Sequence, residues 1–415
     1  MPGSPARYAY RTMRSGLDAP SLPYSPLSLQ LGNYPLAGLA DLKAELLADG
    51  GPVYDFSIGD PVEPTPPFIR EAVASAIGEV SQYPTSAGPL ALRQAIAGWI
   101  ARRFGVQVDP ETQVIPTSGS KEAIFHLPFG VVQPDGPKRA AIWGDPGYPG
   151  YGRGVQLAGG ESDPVALTAE RGWRLELDGL EPARLDRAAL AWVNYPHNPT
   201  GAVVDPGYYR AQLASARRHG VWLASDECYA DIYPPGATPP PSLLQAAGPD
   251  LAGVVVAFSL SKRSGMTGYR TGALVGDAEL MASQKKLRAN FGTANPQFIQ
   301  HGTAPAWADD EHPAVRREAF EAKRTVLLPF LRAAGIEVSA SDATFYLWFR
   351  APGGDDLAYA EALLRHRVIA TPGRSFGAAG TGWLRLALVP DVEACRAAAA
   401  AWGDAIDAGT LPGHP

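Results

Sequence analysis

The stretch VVVAFSLSKRSGMTGYRTG, residues 254–272, decides how the chain is read. Its opening is an unbroken apolar and β-branched run, the pattern of a strand buried on both faces. Lys262 follows that strand closely, and Arg270 comes eight residues later, past a turn containing Gly and Thr. A lysine beside a desolvated pocket and a second cation loses part of its ordinary basicity, from about 10.4, and becomes an amine nucleophile toward a carbonyl. Arg270 and the Ser259 hydroxyl then stand where a phosphate can be held. An isolated SxxK is usually a surface loop; it is the longer string that carries the argument.

The strand-then-loop pattern recurs on both sides of this stretch. RAAIW (139–143), LAWVN (190–194), VWLAS (221–225) and TGALVG (271–276) read as further buried strands, with helical segments such as 207–219 between several of them. That alternation predicts an α/β fold with a mostly parallel sheet flanked by helices. Residues 277–333 read as a long helical stretch. IEVSASDATFYLWFR then reads as strands, 356–366 as a helix, WLRLALV as a strand and 391–407 as a closing helix. Together these predict a smaller α+β domain. At the other end, 1–35 reads as an extended arm and 36–49 as a helix closing on Gly50-Gly51. The expected division is 1–60 as arm and part of the small domain, 61–300 as the large domain and 301–415 as the C-terminal small domain.

With 415 residues, two domains and a sizeable core are expected. The formal net charge of −6 argues against a nucleic-acid or anionic-membrane partner. Cys228 and Cys395 are the only cysteines, which fits a reducing compartment and excludes a disulfide framework or a Cys-based metal site. The first residues carry Arg7, Arg11 and Arg14 with no apolar core after them, so no secretory signal is expected. No apolar run approaches the length of a membrane span. These features predict a soluble, cytoplasmic protein.

In open α/β sheets, ligands sit beyond the carboxyl ends of the strands, and the remaining candidates fall there. In VIPTSGSKEAIFHL (114–127) a strand runs into Gly119, Ser120 and Lys121 at a helix start, where free N–H groups can hold a phosphate. In VWLASDECYADIY (221–233), no His cluster accompanies the acids, so no metal is expected. A better use for Asp226 is to face a heteroaromatic nitrogen and keep it protonated, with Tyr229 donating to a phenolate oxygen. In WVNYPHNPTGAVV (192–204) the turn puts the Asn198 amide at the ligand edge, and His197 reads as a turn residue, not a base. Arg385 sits in the apolar strand GWLRLALV, where it needs a partner; an internal ion pair or a substrate carboxylate would each serve. Tyr148 of DPGYPGY (145–151) can stack on a flat ring or simply pack.

Taken in order, SLSKRSGMTGYRTG, SDECY, NPTG and WLRLALV resemble the class I/II aminotransferases of pyridoxal-phosphate fold type I, over about residues 30–400. The resemblance implies that Lys262 bonds the cofactor covalently and shuttles the proton, and that Asp226 pairs with the ring nitrogen. It implies Tyr229 and Asn198 at the ring's 3-oxygen, and Tyr148 stacked on the ring. Gly119, Ser120, Lys121, Ser259 and Arg270 would hold the phosphate. Arg385 would bind the substrate α-carboxylate, with Asn198 and the Gly59 backbone beside it. Tyr83 matches a tyrosine that reaches the phosphate of the partner subunit's cofactor, which implies a homodimer with shared active sites.

Several strings, among them FSIGDPVEPTPPFI, TSGSKEAIFHLP and SLSKRSG, are similar to the succinyldiaminopimelate aminotransferases of lysine synthesis. The implied reaction is a ping-pong transamination between an N-succinylated diaminopimelate and 2-oxoglutarate. Arg263, Arg153, Arg288 and Lys121 are the cations available for a distal carboxylate. Other amino-acid aminotransferases (aspartate- or aromatic/kynurenine-like) and a pyridoxal-phosphate carbon–sulfur β-lyase share the same Cα-activating residues. A DNA-binding regulator lacks a basic helix-turn-helix, and a nicotinamide dehydrogenase lacks a GxGxxG after a strand.

Overall fold

The computed structural model describes residues 44–48 and 50–414, all within one compact unit. The expected arm and most of the helix expected over 36–49 lie outside the described residues, although 44–48 are helical. After a short strand β1 (Tyr54–Asp55) come β2 (Val114–Thr117), β3 (Ala140–Asp145), β4 (Glu161–Ala166) and β5 (Ala188–Val193). These are followed by β6 (Trp222–Asp226), β7 (Val254–Ser259) and β8 (Gly272–Gly276). Strands β2 to β8 form a seven-stranded sheet in the order β2-β8-β7-β6-β5-β3-β4. Only β8 runs against its neighbours β2 and β7; every other pairing is parallel.

Successive residues of β7 explain why its sequence is continuously apolar. Val254, Val256 and Phe258 face one core, while Val255 and Ala257 face another. The first core is closed by helices Leu90–Phe104 and Pro206–Arg218, the second by Gly119–His126, Gly150–Leu157 and Ala278–Phe291. Both faces are therefore covered, as a parallel sheet requires, and the carboxyl ends of the strands are left as the place for a ligand.

A second sheet combines β9 (Val338–Ser339), β10 (Tyr346–Arg350), β12 (Thr371–Pro372) and β13 (Trp383–Ala387) in the antiparallel order β12-β13-β10-β9. It packs with helices His312–Ala333 and Val392–Asp407 around Phe345, Leu347, Phe349 and Trp402. β1 pairs in parallel with β11 (Val368–Ile369), so the segment leading to Gly59 belongs beside this smaller sheet.

The stretch expected to be helical over 277–333 is divided into Ala278–Phe291, Gln297–Gly302, Ala304–Ala308 and His312–Ala333. Gly292, left-handed at φ 67°, closes the first of these. Pro296 and Pro305 enforce the next restarts, because proline donates no backbone hydrogen bond. Between β9 and β10 the chain turns through positive φ at Ala340, Ser341 and Thr344, where an unbroken strand would have bypassed the sheet edge. No helix among the described residues is long and apolar enough to cross a membrane.

Candidate active site

Beyond the carboxyl ends of β2, β3, β5, β6 and β7 lies a cavity of about 470 Å3. Each strand delivers a side chain to it: Ser120 and Lys121 after β2, Tyr148 after β3, Asn198 after β5, Asp226 and Tyr229 at β6, Ser259 and Lys262 at β7. Arg270 closes one side, and the smaller sheet contributes Tyr346 and Arg385, with Gly59 from the loop after β1.

Ser259 ends β7 and caps the single turn Leu260–Arg263, its hydroxyl accepting from the Ser261 N–H at 3.1 Å. That turn projects Lys262 into the cavity, where its ammonium donates to the Gly59 carbonyl. Burial pushes the Lys262 amine down to about 8; Cys228 and Asp60 oppose the shift, and Arg385 and Arg270 add to it. About a tenth of the amine is thus uncharged at neutral pH, far more than for an ordinary lysine.

Asp226 is 4% exposed and meets no cationic side chain within ion-pair distance among the described residues. Its Oδ2 accepts from the Tyr151 hydroxyl at 2.9 Å and its Oδ1 from the Cys228 N–H at 3.3 Å. Burial raises its pKa despite these two hydrogen bonds. Asn194 ties the neighbouring pieces together: its amide donates to the Asp226 carbonyl at 2.6 Å, and its Oδ1 accepts from the Asn198 N–H at 2.9 Å.

Arg385 is 3% exposed, and no carboxylate among the described residues pairs with it. One Nη donates to Asn198 Oδ1 at 2.9 Å and the other to the Ser57 carbonyl at 2.7 Å, while Nε is buried without an acceptor. The guanidinium lies between the rings of Tyr346 and Phe376, at 4.3 and 4.5 Å from their centroids. A buried cation without a counter-charge, held flat in this way, is prepared for a planar anion.

On the opposite side, Gly119 opens the helix Gly119–His126 at φ +77°, and a Cβ there would stand 2.8 Å from an Arg270 Nη. Gly119 itself does not line the cavity; it lets Arg270 approach the helix start, where Arg270 donates to the Ser118 carbonyl at 3.3 Å. Arg270 is itself left-handed at φ 54°, a strained state for a side-chain-bearing residue, and Asn295 holds its carbonyl. The Ser259 hydroxyl donates to the Thr271 carbonyl at 3.3 Å.

Two of the cations considered for a distal carboxylate are committed elsewhere. Arg263 pairs with Asp231 at 2.6 Å and Arg288 with Glu122, and neither lines the cavity. Arg153 is also absent from the lining, whereas Lys121 is part of it. Tyr83 is fully exposed and lies against a separate hollow formed by residues 76–84 and 294–298. His197 is buried, bonds Thr200 at 2.8 Å, and is pushed down to about 3 by burial, so it is neutral and serves its turn.

Sequence reasoning misses Tyr346, Tyr151, Asn194 and Phe376. Tyr151 comes three residues after Tyr148 yet reaches the Asp226 carboxylate instead of the cavity, a relation that a Pro/Gly-rich string conceals. Tyr346 sits in an aromatic run where core packing is the ordinary reading.

Lys262, the buried Asp226, Arg270 beside the helix start and Arg385 without a counter-charge among the described residues share one sheet edge, an arrangement suited to a cofactor-dependent enzyme. The chain belongs to the class I and II aminotransferases, whose family model matches residues 52–401, and these enzymes depend on pyridoxal phosphate. It is 36% identical, over 87% of its length and 93% of the other protein, to an LL-diaminopimelate aminotransferase of Nitratidesulfovibrio vulgaris (strain Miyazaki F). Among solved structures, an aminotransferase from Neisseria meningitidis is 33% identical with a TM-score of 0.83, covering 90% of this chain and 98% of that one. A probable N-succinyldiaminopimelate aminotransferase from Thermus thermophilus is 28% identical with a TM-score of 0.81, covering 89% of this chain and 100% of that one. The curated Nitratidesulfovibrio relatives thus carry the diaminopimelate name without the succinyl group suggested by the sequence strings.

The residues present fit pyridoxal phosphate. Asp226 is a buried acid lacking a cation, as the partner of a protonated ring nitrogen must be. Ser120 and Lys121 at the helix start and Arg270, which Gly119 lets come close, form an anion cup, and Lys262 offers the amine.

Proposed function

We propose that the chain moves an amino group between LL-diaminopimelate and 2-oxoglutarate, in the service of lysine synthesis. The observation that carries the reading is Arg385, a buried guanidinium without a protein carboxylate among the described residues, in the same cavity as Lys262 and Asp226. The unsuccinylated substrate is supported by its charge. Lys121 and Asp60 both line the cavity, and a distal carboxylate and ammonium complement that pair. An N-succinylated substrate offers no distal ammonium; it is the second reading, favoured by the likeness to the Thermus thermophilus structure.

When bound, pyridoxal phosphate supplies the carbonyl that takes up the amino group and a ring that delocalises the electron pair from Cα. Lys262 Nζ takes the proton from the substrate Cα and returns it on the other side of the amino nitrogen. Asp226 keeps the ring nitrogen protonated, and Tyr151 fixes the carboxylate for that task. Tyr229 Oη and the Asn198 amide donate to the 3-oxygen; Asn198 Oδ1 is already occupied by Arg385, which leaves Nδ2 to point inward. The backbone N–H groups of Ser120 and Lys121, with Ser259 and Arg270, hold the phosphate, and Gly119 lets Arg270 approach them. Tyr148 covers the ring, and Arg385 with the Gly59 backbone receives the α-carboxylate. Tyr83 reaches the cofactor of a second copy, which makes the working form a homodimer; its full exposure in the single chain supports this. The domains are divided at 61–300 and 301–415, with residues before 61 partly joined to the small domain; the β1–β11 pairing supports that last assignment.

Purified protein loaded with pyridoxal phosphate is given LL-diaminopimelate or its N-succinyl derivative with 2-oxoglutarate, and glutamate formation is followed. Faster turnover of the free form is expected. Faster turnover of the succinylated form moves the assignment to the second reading, and turnover of neither refutes both. Release of ammonia and pyruvate from a sulfur amino acid without an oxo acid would make the enzyme a β-lyase.

A further inference from the structure

Tyr346 is placed where β10 meets β13. Arg385 lies directly opposite Trp348, so Tyr346 is its diagonal neighbour on the same sheet face. That register puts the guanidinium 4.3 Å from the centre of the Tyr346 ring. The Tyr346 hydroxyl meets the Tyr229 hydroxyl at 2.8 Å, and the two rings contact edge to face. On its other side the hydroxyl is packed against Gly59, where an added methyl would collide with it. Tyr346 is 2% exposed and Tyr229 5%.

Each phenol has one proton, and among the described residues the side-chain oxygen or nitrogen bonded to each hydroxyl is the other hydroxyl. The Cys228 thiol, a weak hydrogen-bonding group, is within bonding reach of Tyr229, whereas Tyr346 feels it only electrostatically. If Tyr229 donated to Tyr346, the Tyr346 proton would face Gly59 and lose its hydrogen bond, a costly arrangement in a buried site. If Tyr346 donates to Tyr229, both oxygens are used and the Tyr229 proton points into the cavity. The cation on the face of the Tyr346 ring withdraws electron density from the phenol and strengthens it as a donor.

We propose that Tyr346 is a positioning residue, which donates to the Tyr229 oxygen and thereby aims and strengthens the single Tyr229 proton toward the bound ring's 3-oxygen. This inference rests on the reading that Lys262, Asp226, Tyr229 and Arg385 form the active centre. The charged and titratable groups facing Tyr346 are Asp226, Cys228 and Tyr229 from the end of β6 and beyond, and Arg385 from β13. Burial raises the pKa of both phenols above the ordinary tyrosine value, so neither ionises near neutral pH.

The test is the pH midpoint of the visible cofactor absorbance in four loaded proteins: wild type, Tyr346→Phe, Tyr229→Phe and the double variant. Phenylalanine keeps the ring beneath Arg385 and removes only the hydroxyl. A weaker Tyr229 donor stabilises the 3-oxygen anion less, so Tyr346→Phe is expected to raise the midpoint by about 0.5 pH unit, the scale of one neutral hydrogen bond. In the Tyr229→Phe background the same substitution is expected to move it by less than about 0.1 unit, since the two act in series. An unmoved midpoint in Tyr346→Phe, or an equal shift in both backgrounds, overturns the proposal while leaving the active centre standing. A wild-type protein that forms no cofactor band overturns both.

Discussion

Replacing Arg385 with methionine separates function from stability. The methionine chain matches the aliphatic length of arginine and keeps an apolar filling between Tyr346 and Phe376. Two N–H donations are lost, to Asn198 Oδ1 at 2.9 Å and the Ser57 carbonyl at 2.7 Å, each about 1.5–3 kcal/mol for a charged donor. Against this, the folded protein no longer buries a cation without a counter-charge, a cost of several kcal/mol, nor a Nε lacking an acceptor, about 1–3 kcal/mol. The terms offset to within about 2 kcal/mol, so the melting temperature is expected to move by less than about 5 °C. Function has no such offset. A substrate carboxylate losing its two-pronged partner in a buried site forfeits about 4 kcal/mol, so kcat/KM falls about 10³-fold. Arg385→Lys, which keeps charge but not the planar fork, is expected to lose about 10- to 100-fold. Steady-state kinetics and calorimetry on the loaded variants provide the assay. A methionine variant within about 10-fold of wild-type kcat/KM would refute the carboxylate role, and one that melts far lower would refute the balance of terms.

Gly119→Ala places a methyl 2.8 Å from an Arg270 Nη at φ +77°, and cofactor affinity, read by fluorescence titration, is expected to fall about 10-fold or more. Tyr151→Phe removes the hydrogen bond that opposes burial at Asp226, so the Asp226 pKa rises further; the acidic limb of the kcat/KM profile is expected to move to higher pH. Glu227, buried beneath the site, is pushed up to about 7 by burial. The folded chain holds that proton up to about pH 7 and the unfolded chain releases it near 4.5, so this contribution is present at low pH and lost as pH rises through 7. Denaturant unfolding at pH 5 and pH 8 is expected to show a smaller fall in stability for Glu227→Gln, by up to about 3 kcal/mol. An unchanged pH dependence in that variant would show that the carboxyl is not the group responsible.

The part of the centre that lies in single strings is readable from sequence. Lys262, Asp226 and Asn198 each stand at or just past the end of a strand, and apolar runs locate the strands. What strings conceal is which chain ends meet. Arg288 lies next to Glu122, 166 residues away, and Arg263 next to Asp231, 32 residues away. Both arginines therefore read as free cations until the fold pairs them. Tyr346 is hidden for the same reason, because its hydroxyl partner is 117 residues distant and its neighbours are all aromatic or apolar. A single helical stretch over 277–333 is too long a reading because the left-handed Gly292 and successive prolines at 296 and 305 divide the backbone.

The central claim is that Lys262 bonds the cofactor and that an amino donor displaces it. The measurement is the absorbance of the pyridoxal-phosphate-loaded protein before and after LL-diaminopimelate, repeated with glutamate and with Lys262→Ala. The account predicts a visible band in the wild type that either donor moves to the near ultraviolet. Lys262→Ala should lose turnover while keeping some cofactor. A wild-type band that ignores both donors, or an alanine variant with near-wild-type turnover, would contradict it.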